Sequence, residues 1–392
     1  MGYLSQAERD IRLSKVQAIL KAKDLDLALV YYDEFNIGNG WYLTGWCPQF
    51  ESGAVLVLRD GTALLLGGPE SEPFAKLDSA ITETRNFPVF MVPDEEYPNA
   101  TITDFPTLFD ELKSRAGAIR RAGLVGGGRM PADCYRQISE GFKGVELIDI
   151  TDDFVSLRFS KSDWEREQIR AAFGLADSCY EAMCKAITPG AMEIEVAAAG
   201  EFAARTRGAT GFGFSAIVGS GARANAVVPT ATTKRLESGE MVMLGISPKV
   251  KGYAGVMGHT VPVSGEYTSS QKECLHHLKE VFRRTKAQLV PGRKGSEIDT
   301  PGRAYYEKHG LLKYLVCPFA HTIGLHEAEA PFFGPHSRDI LKPGMAVCID
   351  VSFFGHPEWN GARIETGYEI TEDGPVPFSS KMDKELLPET NR

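Results

Sequence analysis

The sequence has no run of 18 apolar residues, so no membrane-spanning helix is expected in it. Nor does it carry an excess of positive charge. Its 43 lysines and arginines face 52 aspartates and glutamates, for a formal net charge of -9. That balance argues against nucleic acid or an anionic membrane surface as the main partner. The seven cysteines are Cys47, Cys134, Cys179, Cys184, Cys274, Cys317 and Cys348, and no two form a CxxC pair. Free thiols in a reducing compartment are expected, and a zinc ribbon is not. The opening residues MGYLSQAERDIRLSKVQ lack the apolar stretch of a signal peptide, so a cytoplasmic protein is expected. The chain has no obvious internal repeat or low-complexity tail. The basic run RRTK at 283–286 is too short to imply nucleic acid.

What is present is an ordinary globular composition, 43% hydrophobic and 24% charged, over 392 residues. That length suits two domains. Residues 6–23 read as an amphipathic helix, 25–32 as a buried strand, and 53–67 as a hairpin turning at Asp60-Gly61. Helices near 105–115 and 131–142 alternate with strand-like 122–127 and 145–150, predicting an α/β N-terminal domain over 1–157. From 158 to 392 the pattern becomes α+β. Ser162 and the acidic turn after it start a long helix to about 187, and a second helix spans about 193–207. Strands are expected at 241–247, 252–263, 346–352 and 362–371, with helices near 269–289 and 296–309.

Several segments, in order, resemble the creatinase/aminopeptidase P/prolidase family, the pita-bread fold. They are NGWYLTGW (39–46), LRFSKSDWEREQIRAA (157–172), ITPGAMEIEVAA (187–198), SGEMVMLGISPKVKGYAGVMGHTVPVSG (238–265), AHTIGLHEAEAP (320–331), LKPGMAVCIDVSFF (341–354) and GARIETGYEITEDG (361–374). The resemblance implies a creatinase-type N-terminal α/β domain and a pita-bread catalytic-type domain. It also implies a homodimer in which one subunit's N-domain closes the other's cleft, with Trp41, Tyr42, Trp46 and Phe50 as candidate lid aromatics.

In the peptidases of this family, two Asp, one His and two Glu hold a pair of metal ions. Carried over singly, those positions fall on Gly245, Val256, His321, Asp350 and Glu365. The first two have no side chain that can bind metal, so the dinuclear site is dismantled. Strand parity puts Met243, Gly245 and Ser247 on one face, and Ala254, Val256, Gly258 and Thr260 on the matching face of the partner strand. The same parity turns His259 away from that face. Creatinase works without metal, but its catalytic His position falls on Val228 here and its strand Glu on Gly258.

The leading expectation is a creatinase-like, metal-independent hydrolase that cleaves a C–N bond of a small amidino or amide compound. His321 would move the proton, with Asp350 and Glu365 orienting substrate and water. His326, Glu327, Glu329, Arg363 and Arg223 are candidate substrate-binding residues, and no cofactor is expected. Two alternatives stand beside it. One is a divergent metal-dependent Xaa-Pro peptidase or lyase, with one divalent ion on His321, Asp350 and Glu365. The other is a small-molecule-binding protein that has lost catalysis. An internal Arg363–Asp350 or Arg363–Glu365 pair is the structural reading of those strands. The loop GSGARANA (219–226) lacks the strand-and-helix context of a nucleotide site. His276-His277 reads as a solvated helix face.

Overall fold

The computed structural model describes residues 3–387. The chain divides into two compact units, Met1–Arg158 and Phe159–Arg392. In the first, a six-stranded sheet runs in the order Thr84–Asn86, Ala63–Gly67, Gly53–Leu58, Leu27–Tyr32, Arg121–Val125, Glu146–Asp149. The run LALVYY is buried at every position because it lies in the sheet interior, antiparallel to Gly53–Leu58 and parallel to Arg121–Val125. Gly61, at φ 93, supplies the left-handed residue that the hairpin turn requires. Tyr42 is fully buried with the Arg12 guanidinium 4.5 Å over its ring, which removes it from the candidate lid aromatics.

The second unit is led by the helix Asp163–Ala186. Ser162 accepts from the Glu165 amide, and the Glu165 carboxylate returns to the Ser162 amide, closing a capping box. One stripe of this helix, Ile169, Phe173, Ala176, Tyr180 and Met183, is buried at helical spacing. The main sheet has eight strands. Its order is Glu329–Phe332, Ala320–Thr322, Ala346–His356, Asn360–Thr371, Met257–Pro262, Met241–Ile246, Ile217–Ser220, with Gly374–Pro377 pairing Asn360–Thr371. Leu244, Ile246, Ile349, Val351 and Ile364 point to one face and join the large core of this unit. The opposite face carries Gly245, Gly258, Asp350, Arg363 and Glu365.

One expected strand is broken. Residues 252–263 form Tyr253–Ala254, in a small three-stranded sheet, and Met257–Pro262, in the main sheet. Gly255 marks the break: a Cβ there would lie 2.3 Å from the Phe173 amide nitrogen and 2.4 Å from the Ala172 carbonyl carbon. The chain is pressed onto helix backbone at that point, so period-two counting does not run through it. Ala254 therefore does not share a sheet face with Gly258. His277 departs from expectation too. It is half-buried, with its Nδ1 3.0 Å from the Tyr305 hydroxyl and its ring 5.1 Å from that of His309, whereas His276 is exposed.

Candidate functional site

The register of five neighbouring strands of the main sheet assembles the site. Asp350 stands opposite Glu365, His321 opposite Cys348, and Gly258 opposite both Glu365 and Gly245. Because neighbouring strands lie about 4.8 Å apart, these pairings alone bring His321, Asp350 and Glu365 together. Their ligand atoms lie within 4.8 Å of one another, and all three residues are buried. Glu327 joins from the turn that follows, and His321 Nε2 lies 3.6 Å from an oxygen of Glu327 and 3.6 Å from one of Glu365. His321 Nδ1 lies 3.1 Å from the Thr322 carbonyl oxygen, which directs Nε2 at the two carboxylates.

Electrostatics follow from burial. Desolvation opposes a charge on His321, but Glu327 and Glu365 overcome it and hold the imidazolium up to about 10. Burial raises the Asp350 carboxyl to about 6 although Arg363 pulls it down. Burial and the neighbouring Glu327 raise Glu365 as well. Arg363 Nε donates to Asp350 Oδ1 at 3.0 Å, so the ion pair read from strand spacing is formed. Asp350 alone is paired with the guanidinium, and the negative charge of Glu327 and Glu365 draws a proton onto His321. One oxygen of Glu327 and one of Glu365 are buried with no hydrogen-bond partner. Such atoms are costly unless a cation or donor meets them.

Other candidates belong elsewhere. Glu329 forms a buried ion pair with Lys161 at 2.6 Å, so its charge is spent in the fold. Arg223 is held by Glu193 at 2.9 Å and donates to the Thr230 carbonyl, contacts that brace its loop. The His326 carbonyl accepts from the Gly324 amide, which tightens the turn that presents Glu327. Val228 is 59% exposed and offers no acid–base group. His259 points away from the cluster, with Nδ1 2.8 Å from the Tyr180 hydroxyl.

Two residues near the cluster escaped sequence reasoning. Cys348 forms an alternative metal-ligating triplet with His321 and Glu327, and its position two before Asp350 was the parity signal for it. Ser247 has a buried hydroxyl without a partner, and a Cβ at Gly213 would lie 2.5 Å from it and 2.8 Å from Glu327 Cβ. Only the fold of the 211–213 segment brings those two together.

The five-ligand dinuclear set does not fit this chain. Gly245 and Val256 supply no donor atom, and a Cβ at Gly245 would meet the Ile217 side chain at 3.2 Å. A single ion does fit the donors present, one imidazole and two carboxylates, with oxygens of Glu365 and Glu327 that make no hydrogen bond.

Comparison with known proteins agrees with this architecture. Residues 167–372 match the family model for metallopeptidase family M24, and residues 12–160 that for the creatinase/prolidase N-terminal domain. The chain is 30% identical to the Xaa-Pro dipeptidase of Pyrococcus furiosus over 350 residues, 89% of this chain and 92% of that one. It is 26% identical to the Xaa-Pro dipeptidase of Pyrococcus horikoshii over 381 residues, 96% and 100% of the two chains. Among solved structures, the prolidase of Pyrococcus horikoshii OT3 superposes with a TM-score of 0.80 at 23% identity, over 94% of this chain and 97% of that one. The X-Pro aminopeptidase of Thermotoga maritima gives 0.80 at 22%, over 94% and 97%. These structures share the pita-bread fold. With an M24 model covering more than half its length, this chain belongs to metallopeptidase family M24 and is a member without the two metal-binding aspartates.

Proposed function

We propose that this protein hydrolyses a C–N bond of a small amide, as a single-ion relative of the Xaa-Pro dipeptidases. The observation that carries this reading is the convergence of His321, Asp350 and Glu365 within 4.8 Å, with oxygens of Glu365 and Glu327 3.6 Å from His321 Nε2 and no hydrogen bond to either. A divalent ion on those three residues would supply Lewis-acid activation of water or carbonyl. This replaces the metal-free expectation as the leading reading, because both the relatives and the donor set favour an ion. Glu327 sits within reach of the same space, with an oxygen 3.6 Å from His321 Nε2 and no hydrogen bond to it, and takes the proton released when water attacks. His321, Asp350 and Glu365 orient the reacting groups, and the apolar patch of Ile217, Ala224, Met243 and Phe354 walls this side of the sheet and excludes water.

The test is metal analysis of purified protein alongside turnover of an Xaa-Pro dipeptide such as Leu-Pro. One equivalent of a divalent metal, and activity lost both on chelation and in His321→Ala, is the expected result. Full turnover after chelation would instead favour the metal-independent, creatinase-like reading. One observation speaks for that second reading: Arg363 and His321 already provide positive charge inside the cluster.

A further inference from the structure

Arg363 is 5% exposed, yet its guanidinium makes only one hydrogen bond to protein, from Nε to Asp350 Oδ1 at 3.0 Å. Neither Nη nitrogen has a hydrogen-bond partner among the described residues. Neither Nη nitrogen is fully buried, so the planar fork keeps its donors toward accessible space while Nε is spent on Asp350. Its placement is built rather than incidental. The aliphatic stem lies along Gly258, where a Cβ would stand 3.1 Å from Arg363 Cδ and 3.2 Å from Cγ. Any larger residue at 258 would displace the side chain. The guanidinium carbon lies 5.9 Å from the centre of the Phe354 ring, which belongs to the apolar patch that also holds Ile217 and Met243. Asp350 anchors one edge of the plane, and the other edge is left for a ligand.

We propose that Arg363 is a catalytic residue that donates from its Nη groups to the oxyanion formed at the scissile carbonyl, in the place where a second metal's charge is missing. The inference rests on the C–N hydrolase reading above, but it does not depend on whether an ion is bound. Water oxygen bonds to the carbonyl carbon, and the C=O π pair moves onto oxygen, which becomes the alkoxide facing Arg363. Glu327 takes the water proton and delivers it to the amide nitrogen. The lone pair returns, the C–N bond breaks, and a carboxylic acid and an amine leave. Preorganised donors aimed at developing charge, beside an apolar wall, commonly give about 100- to 1,000-fold in rate. Lysine cannot substitute, because it offers a point charge without the fork that serves Asp350 and the oxyanion at once.

The experiment measures binding of the phosphinate analogue of Leu-Pro, a tetrahedral oxyanion, by calorimetry to the wild type, Arg363→Lys and Arg363→Ala, with Leu-Pro turnover followed in parallel. Phosphinate affinity is expected to fall at least 30-fold in both variants, while binding of Leu-Pro itself changes less than threefold. Added guanidinium chloride at millimolar concentration is expected to restore part of the lost affinity in Arg363→Ala only, a rescue that a purely structural role would not show. Equal phosphinate affinity in Arg363→Lys and wild type, or no phosphinate binding to wild type, would overturn the proposal. So would loss of folding in both variants, which would make the side chain a strut. Wild type that binds the phosphinate through Arg363 but turns over no Leu-Pro would sink the hydrolase reading and leave the oxyanion site standing.

Discussion

Two residues absent from the sheet decide this site more than those present. Gly245 and Val256 leave the aspartate positions of family M24 without donors, and Ile217 packs against the first of them. The double variant Gly245→Asp, Val256→Asp is expected to raise bound manganese from one equivalent to two by elemental analysis. Unchanged stoichiometry would mean that Ile217 and Arg363 have closed the second position. His259 makes a separate point. Burial, with Lys279 nearby, depresses its imidazolium to about 3 from an ordinary 6.5. A histidine held neutral in the fold but free to protonate when unfolded favours folding fully above its unfolded value. That contribution drains away as pH falls from about 6.5 toward 3, by up to about 1.4 kcal/mol per pH unit. His259→Gln should therefore show a smaller drop in Tm between pH 7.5 and pH 5 than wild type. Equal drops would place the acid sensitivity elsewhere.

At the scale of elements, the hairpin of Ala320–Thr322 and Glu329–Phe332 carries the functional weight, since its first strand holds His321 and its turn presents Glu327. It is pinned from the start of the long helix by Lys161, whose ammonium reaches Glu329 at 2.6 Å with both side chains almost fully buried. Removing one partner of a buried pair strands the other charge, at a cost of about 3–5 kcal/mol. Lys161→Met should lower the urea midpoint accordingly, whereas Lys161→Met with Glu329→Met should recover most of the loss. If the double variant is as unstable as the single, the pair acts through packing instead of charge. Glu329 looked like a site residue in sequence because it keeps a family position. Its partner lies 168 positions away, and only the folded turn pairs them.

Across the whole molecule, ligand binding and folding are linked. An ion held by the folded cluster and not by the unfolded chain stabilises by about 2.7 kcal/mol at 100 times its dissociation constant. Adding manganese to chelated protein is thus expected to raise Tm by a few degrees, and His321→Ala should abolish the shift. A shift that survives in His321→Ala would put the ion at another site. Most of the architecture was legible in the chain. The Asp163–Ala186 helix announces itself by its Ser162 cap, and the hairpin by Asp60-Gly61. The break at Gly255 was not legible, because its cause is the backbone of a helix about 80 positions earlier in the chain.

The sequence by itself determined the two-part α/β and α+β organisation, the loss of two aspartates, and the sheet face on which Asp350, Arg363 and Glu365 would lie. These follow from local rules: capping chemistry, turn residues and the period of a strand. The tertiary structure alone decided which charges are free. It committed Glu329 to Lys161 and Arg223 to Glu193, set oxygens of Glu327 and Glu365 near His321 without hydrogen bonds, and gave the Arg363 side chain one hydrogen bond, from Nε, among the described residues. The physical reason is that a partner is chosen by proximity in space, and strand register and loop packing set that proximity between residues far apart in the chain.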